Sequence, residues 1–227
     1  MNAIAIIPAR GGSRGVPRKN LCEVGGKPLM VWSIQAALEA GLEVVVSSDD
    51  DEILEMAARD DVLLRRRPYG LATDGALTDP VLVDAVNALG RPELSHVVLL
   101  QPTVPVRSVG LVARCLQVAE ETGADSVFTA YPLHFVWWRA GMDPGRTDHR
   151  PDTWETQCRR RPRRQDMHAR ELMYHEDGSV YVTRVQTLLE TGSRVAGRVE
   201  IVETERTVDV DTEADLIVAD ALLRARA

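Results

Sequence analysis

Residues 3–21 read Ala3-Ile4-Ala5-Ile6-Ile7-Pro8 and then Ala9-Arg10-Gly11-Gly12-Ser13-Arg14-Gly15-Val16-Pro17-Arg18-Lys19-Asn20-Leu21. The first six residues form an apolar run that ends in turn-forming chemistry, the pattern of a strand buried on both faces. Similar runs recur at 43–47, 95–100, 125–131 and 179–182. Helical patterns lie between them at 29–40, 50–59, 80–89 and 109–121, and a last helix is expected after Asp211-Thr212, to about Arg224. The helix at 50–59 opens on Asp49-Asp50-Asp51, acids suited to a helix N-terminus. Alternation at this spacing predicts an α/β fold with a mostly parallel sheet.

In such sheets ligands bind where strands end and loops begin. The first of these loops carries Arg10, Arg14, Arg18 and Lys19 and no acid. Glycines let backbone approach a ligand, and cations around a Gly-Gly-Ser turn suit a polyphosphate. The loop is not a Walker loop, because its lysine is not followed by Ser or Thr. Nor is it the dinucleotide fingerprint, since Gly-x-Gly-x-x-Gly is absent.

The 227 residues suit one domain. From 132 to 171 the strand–helix rhythm breaks at Trp137-Trp138 and a run with five arginines between Arg159 and Arg164. This stretch is too short for its own core and reads as an arm of the same domain. The net charge of −7 argues against general nucleic-acid binding. No apolar run reaches 18 residues, so no membrane span is expected. Three cysteines, Cys22, Cys115 and Cys158, are too few and scattered for a disulfide framework or zinc site, and with no secretory leader pattern a cytoplasmic location is expected. His134, His149, His168 and His175 show no metal spacing. Of 27 basic residues only Lys19 and Lys27 are lysine, and Lys19 falls in the first loop.

Residues 8–21 resemble the signature loop of the acylneuraminate cytidylyltransferases, the CMP-sialic acid synthetase family. Other segments follow in that family's order: Gly26-Lys27-Pro28-Leu29, Val46–Asp50, Arg67-Pro68 with Leu71–Asp74, Leu100–Arg107, Arg164-Gln165-Asp166, Asp177–Tyr181 and Val208–Glu213. The resemblance implies a Rossmann-like three-layer nucleotidyltransferase fold with a mostly parallel mixed sheet, and a homodimer in which the 132–171 arm reaches the partner. The implied reaction moves CMP from CTP to an anionic acceptor and releases pyrophosphate. A sialic-type (nonulosonic) sugar acid is the first choice, a small phosphonate the alternative and a non-catalytic nucleotide-binding protein a third reading.

By the same resemblance Arg10, Lys19 and Asp211 are catalytic. Ala9, Arg10, Gly11, Ser13, Arg14, Lys19 and Asn20 hold the nucleotide's phosphates, and Arg67, Ala76 and Thr78 its base. Arg65–Arg67 reads equally as a solvated strand end, and Thr78 as a helix cap. Gln101, Arg164, Gln165 and Tyr181 are assigned to the acceptor, with local packing open for Gln101 and Tyr181. Arginine suits this work because its fork pairs bidentately with a carboxylate. Arg107 reads as structural. Asp209 and Asp211, two apart in an extended segment, face one side and suit Mg²⁺, while Asp211 reads alternatively as a helix cap.

The match has departures. Val104 stands where serine is usual, Asp177 where asparagine is usual, and the arm lacks a His-Pro-x-Lys pattern. The second of these is expected to place a negative charge near the acceptor pocket.

Overall fold

The computed structural model describes residues 1–13, 15–133 and 173–226, together with the backbone of 138–139 and 150–151. The chain divides into two compact units: Met1–Ala130 with Glu176–Ala227, and Tyr131–His175.

Seven strands make the main sheet: β1 (Ala3–Pro8), β2 (Glu43–Ser48), β3 (Leu63–Arg66), β4 (His96–Leu99), β5 (Ser126–Leu133), β6 (Met173–Arg184) and β7 (Val199–Glu203). Their order is β7-β5-β6-β4-β1-β2-β3. β1 runs parallel to β2 and β4, β2 parallel to β3, and β7 parallel to β5, whereas β6 runs antiparallel to β4. The sheet is thus mixed and mostly parallel, as expected. The helices are α1 (Leu29–Glu39), α2 (Asp51–Ala57), α3 (Thr78–Leu89), α4 (Leu111–Thr122), α5 (Val185–Thr191) and α6 (Glu213–Arg224). Among the described residues no helix is long and apolar enough to cross a membrane.

The apolar run 3–8 is continuous because both faces of β1 are covered. Ala5 and Ile7 pack on one face with Ile34 of α1, Ile53 of α2 and Val112 of α4. Ile4 and Ile6 pack on the other with Leu82 and Ala85 of α3 and Leu188 of α5. Each such isoleucine, 0–1% exposed, contributes roughly 2 kcal/mol of burial. Two helical layers on one sheet give the three-layer architecture.

β3 and β7, absent from the sequence reading, are the two edge strands. Each has exposed positions alternating with covered ones, Leu63–Arg66 on a Leu-Leu-Arg-Arg sequence and Val199–Glu203 on Val-Glu-Ile-Val-Glu. An edge strand therefore lacks the apolar run that marks β1. In the second unit Trp138–Arg139 pairs antiparallel with Arg150–Pro151, and the Tyr131 ring stacks on His175 with centroids 5.1 Å apart.

Candidate active site

Parallel register brings four loops to one edge. Pro8 of β1 lies beside Ser47 of β2, and Ser48 beside Arg66 of β3. Ile6 lies beside Leu99 of β4. The chain therefore leaves β1, β2, β3 and β4 together at Arg10, Asp49, Arg67 and Gln101. β1 sits between β2 and β4, so the order reverses there, the usual place for a ligand crevice. A cavity of about 330 Å³ opens at this edge. Arg10, Ser13, Lys19, Asn20, Arg67, Ala76, Thr78, Gln101 and Asp211 line it with Gly15, Thr73, Asp74, Thr103 and several apolar neighbours.

The first loop is held from behind. Asn20, 5% exposed, donates its side-chain amide to the Arg10 carbonyl at 2.8 Å. The Gly11 N–H donates to Asp49 Oδ1 at 2.9 Å, so this amide serves the loop and is not free for a ligand. Ala9 is fully buried and its N–H donates to the Ser47 carbonyl. Ala9 and Gly11 thus support the loop and do not line the cavity.

The loop is cationic in sequence, yet the fold brings acids to it. Arg10 Nη1 donates to Asp74 Oδ1 and the Thr73 carbonyl, both at 3.2 Å. Arg18 pairs with Glu52 at 2.7 Å and Asp50 at 3.5 Å. Lys19 Nζ donates to the Val210 carbonyl and, at 3.0 Å, to Asp211 Oδ1. Each described cation of this loop therefore already has a carboxylate partner. Sequence reasoning missed Asp49 and Asp74 because their partners lie 38 and 64 residues away.

The arginine triplet separates by role. Arg65 makes a bidentate pair with Asp84 of α3 at 2.8 and 2.9 Å. Arg66 bonds the Asp49 carbonyl at 2.8 Å and pairs with Asp51. Arg67 alone reaches the cavity. It is 5% exposed and is anchored by Nη2 to the Ser47 carbonyl at 2.7 Å. Burial lowers its pKa first, and Arg10 adds to this, while Asp49 opposes it. Thr78 is the first residue of α3 and Leu77 holds the N-cap position, so Thr78 is not the cap of this helix.

Capping at the last helix is also settled. Thr212 is the N-cap of α6 and forms a capping box with Asp215. Asp211 is not the cap, and its side chain, 73% exposed, sits on the cavity beside Lys19. Asp209 is not among the lining residues. Its total exposed area is large, yet protein crowded around its carboxyl raises its pKa. A hydrogen bond from Thr103 and the charge of Lys19 oppose that rise, and Asp211 reinforces it. Asp209 therefore lies within the electrostatic reach of Asp211. Val210, fully buried between them, points the other way. Among the described residues no cluster of three or more His, Cys, Asp or Glu side chains forms a site for a metal. Asp211 on the cavity wall, with Asp209 two residues before it, supplies the hard carboxylate oxygens that suit Mg²⁺.

On the acceptor side the structure brings Gln101 to the cavity but not Tyr181. Tyr181 is 3% exposed, stacks on Phe128 at 6.2 Å and donates its hydroxyl to Glu176 at 2.9 Å. The β6 pleat turns it into the core beneath Arg194. Burial first, then Glu176, raises its pKa. Asp177 is corrected in the same way. It is 6% exposed, and its carboxylate accepts from Thr129, Ser179 N–H and Thr204, so its charge is enclosed and does not face the cavity. Arg14, Arg164, Gln165, Trp137 and the 159–164 arginine run lie outside the described residues, as does the side chain of Trp138.

A doubly covered, mostly parallel sheet with a basic first loop at its switch point is the architecture of the open α/β folds that take ligands at that point. Residues 4–75 match the family described as cytidylyltransferase. It is 31% identical over 95% of its length to N-acylneuraminate cytidylyltransferase B of Danio rerio, of which it covers 50%. It is 26% identical to the CMP-N,N'-diacetyllegionaminic acid synthase of Legionella pneumophila, over 98% of this chain and 97% of that protein. The chain spans about half the length of the first of these relatives. In fold it is similar to a CMP:2-keto-3-deoxy-manno-octonic acid synthetase solved with CTP, with a TM-score of 0.72, 19% identity and full coverage of both chains.

Proposed function

We propose that this chain transfers CMP from CTP to the hydroxyl of a nonulosonic sugar acid and releases pyrophosphate. The observation that carries the reading is the cavity itself. It gathers Arg10, Ser13 and Lys19 from the first loop, Arg67, Ala76 and Thr78 from the β3–α3 segment, and Asp211 from the approach to α6. Relatives named for sialic and legionaminic acids support the acceptor class.

In this reading Arg10 and Lys19 orient the triphosphate and offset the charge that builds on the leaving pyrophosphate. Both exchange an internal carboxylate for a phosphate when the nucleotide enters. Arg67, fixed to β2 through Ser47, presents a rigid donor edge to the base with Ala76 and Thr78. Asp211, with Asp209 behind it, would hold Mg²⁺, which would supply Lewis-acid stabilisation of charge at the triphosphate. Gln101, with Arg164 and Gln165, belongs to the acceptor. Position and charge carry the chemistry, because in-line phosphoryl transfer asks little covalent help of the protein.

The 132–171 arm is read as part of the same domain and as the contact between two copies. Free Cys22 and buried Cys115 support a reducing, cytoplasmic setting.

The test is a pyrophosphate-release screen with CTP and Mg²⁺ against sialic, legionaminic, ketodeoxy-sugar and phosphonate acceptors. Release with a nonulosonic acid is the expected result. Tight CTP binding with no release for any acceptor would overturn the transferase reading.

A further inference from the structure

Arg107 is buried, 8% exposed, and among the described residues has no carboxylate in hydrogen-bond contact. Its guanidinium instead spends three nitrogens on neutral oxygens. Nη2 donates to the Gln101 carbonyl at 2.6 Å, Nη1 to Ser33 Oγ at 3.0 Å, and Nε to the Ser179 carbonyl at 2.9 Å. Such burial is costly for a cation, and its pKa is lowered to about 9 by desolvation, with Asp177 opposing. A core residue needed only for packing would not carry a charge.

The three bonds converge on one place. The Gln101 carbonyl also accepts from Ser33 Oγ at 3.2 Å and from Val104 N–H at 3.2 Å. Ser33 itself is fully buried in α1. On the far side, Asp177 holds the N–H of Ser179 while Arg107 holds its carbonyl. Between these anchors, Gln101 Oε1 lies 2.6 Å from where a Cβ on Gly178 would stand. The Gln101 side chain thus rests on a bare glycine backbone, and that glycine's height is set by its neighbours on β6.

We propose that Arg107 and Ser33 are positioning residues that hold Gln101 by its main chain, so that its side chain meets the acceptor in one orientation. The proposal rests on the reading above that Gln101 belongs to the acceptor side. Nucleotide-facing residues share no hydrogen bond with this node among the described residues. Loss of the node therefore affects acceptor use and leaves CTP binding in place.

The experiment compares wild type, Ser33→Ala, Arg107→Lys, Gln101→Ala and the Ser33→Ala/Gln101→Ala double variant. Calorimetry reads Mg²⁺-CTP affinity, and pyrophosphate release reads the KM for N-acetylneuraminic acid and kcat. Loss of one of the three hydrogen bonds that the Gln101 carbonyl accepts supports a rise of about five- to ten-fold in acceptor KM/kcat for Ser33→Ala, with CTP affinity within about two-fold. In the Gln101→Ala background Ser33→Ala adds nothing further, because the side chain it positions is gone. Arg107→Lys, which keeps charge but loses the fork, follows Ser33→Ala. Equal losses of CTP affinity and acceptor use, or full additivity in the double variant, would overturn the proposal. If the wild type binds CTP but turns over no acid, the transferase reading falls instead. Positioning is then read from amide exchange at Val104, which Ser33→Ala speeds about ten-fold, and an unchanged rate there sinks it. Ser33→Ala keeps the experiment decisive even if Arg107→Lys does not fold.

Discussion

Lys19 Nζ and Asp211 Oδ1 lie 3.0 Å apart although 192 residues separate them. The contact joins the start of the first loop's turn into the Lys19–Leu21 helical turn to the approach to the last helix. Both residues line the cavity. Lys19 is 12% exposed and Asp211 73% exposed, so the lysine is the fixed partner and the carboxylate the accessible one.

Asp211→Asn should therefore remove activity without unfolding the protein. Helix α6 is capped by Thr212 and Asp215, which the substitution leaves alone. Pyrophosphate release is expected to fall at least about 100-fold, with a Tm change under about 3 °C. Retained turnover would remove Asp211 from the metal and catalytic assignment.

Gly15 marks the same seam. A Cβ there would stand 2.0 Å from the Asp211 carbonyl oxygen, a backbone atom that has little room to move. A Cβ at Gly12 meets nothing within 4 Å. Gly15→Ala is expected to lower CTP affinity more than about ten-fold, whereas Gly12→Ala stays within about two-fold. Titration of both variants with Mg²⁺-CTP checks the contrast, and equal behaviour would refute the close approach.

The arginines of β3 separate by the same logic. Arg67→Met should weaken CTP binding about ten-fold or more, because it removes a buried cation from the cavity wall. Arg65→Ala should cost about 1 kcal/mol of stability through its pair with Asp84, and leave CTP affinity unchanged. Denaturant melts beside binding titrations test the division.

His96 makes stability depend on pH. The residue is 9% exposed, Nδ1 is 2.9 Å from Ser95 Oγ, and Nε2 has no hydrogen-bond partner among the described residues. Desolvation first, then Arg184, lowers its pKa below 6.5. The unfolded chain therefore takes up a proton at His96 before the folded one does. Its contribution is full above pH 6.5 and declines as pH falls through the folded-state pKa. Tm should drop between about pH 7 and 5, and His96→Gln should flatten that slope. A slope equal in the two proteins would assign it to other groups.

The sequence alone determined the alternation of strands and helices, because β1 and β4 are covered on both faces and must be apolar throughout. It also located the first loop and Gln101, which follow strand ends, and Asp211, which precedes a helix, whereas Arg67 rests on the family resemblance alone. The edges β3 and β7 escaped it, because one-sided burial leaves only short alternating patterns. Tertiary structure alone decided which charges meet. Asp74 reaches Arg10, Asp84 takes Arg65 out of the cavity, Thr212 frees Asp211 from capping, and the pleat of β6 turns Tyr181 inward. Those outcomes depend on strand register and on loops distant in sequence. Coulombic and hydrogen-bond partners are fixed by distances of about 3 Å, a scale that local periodicity does not encode.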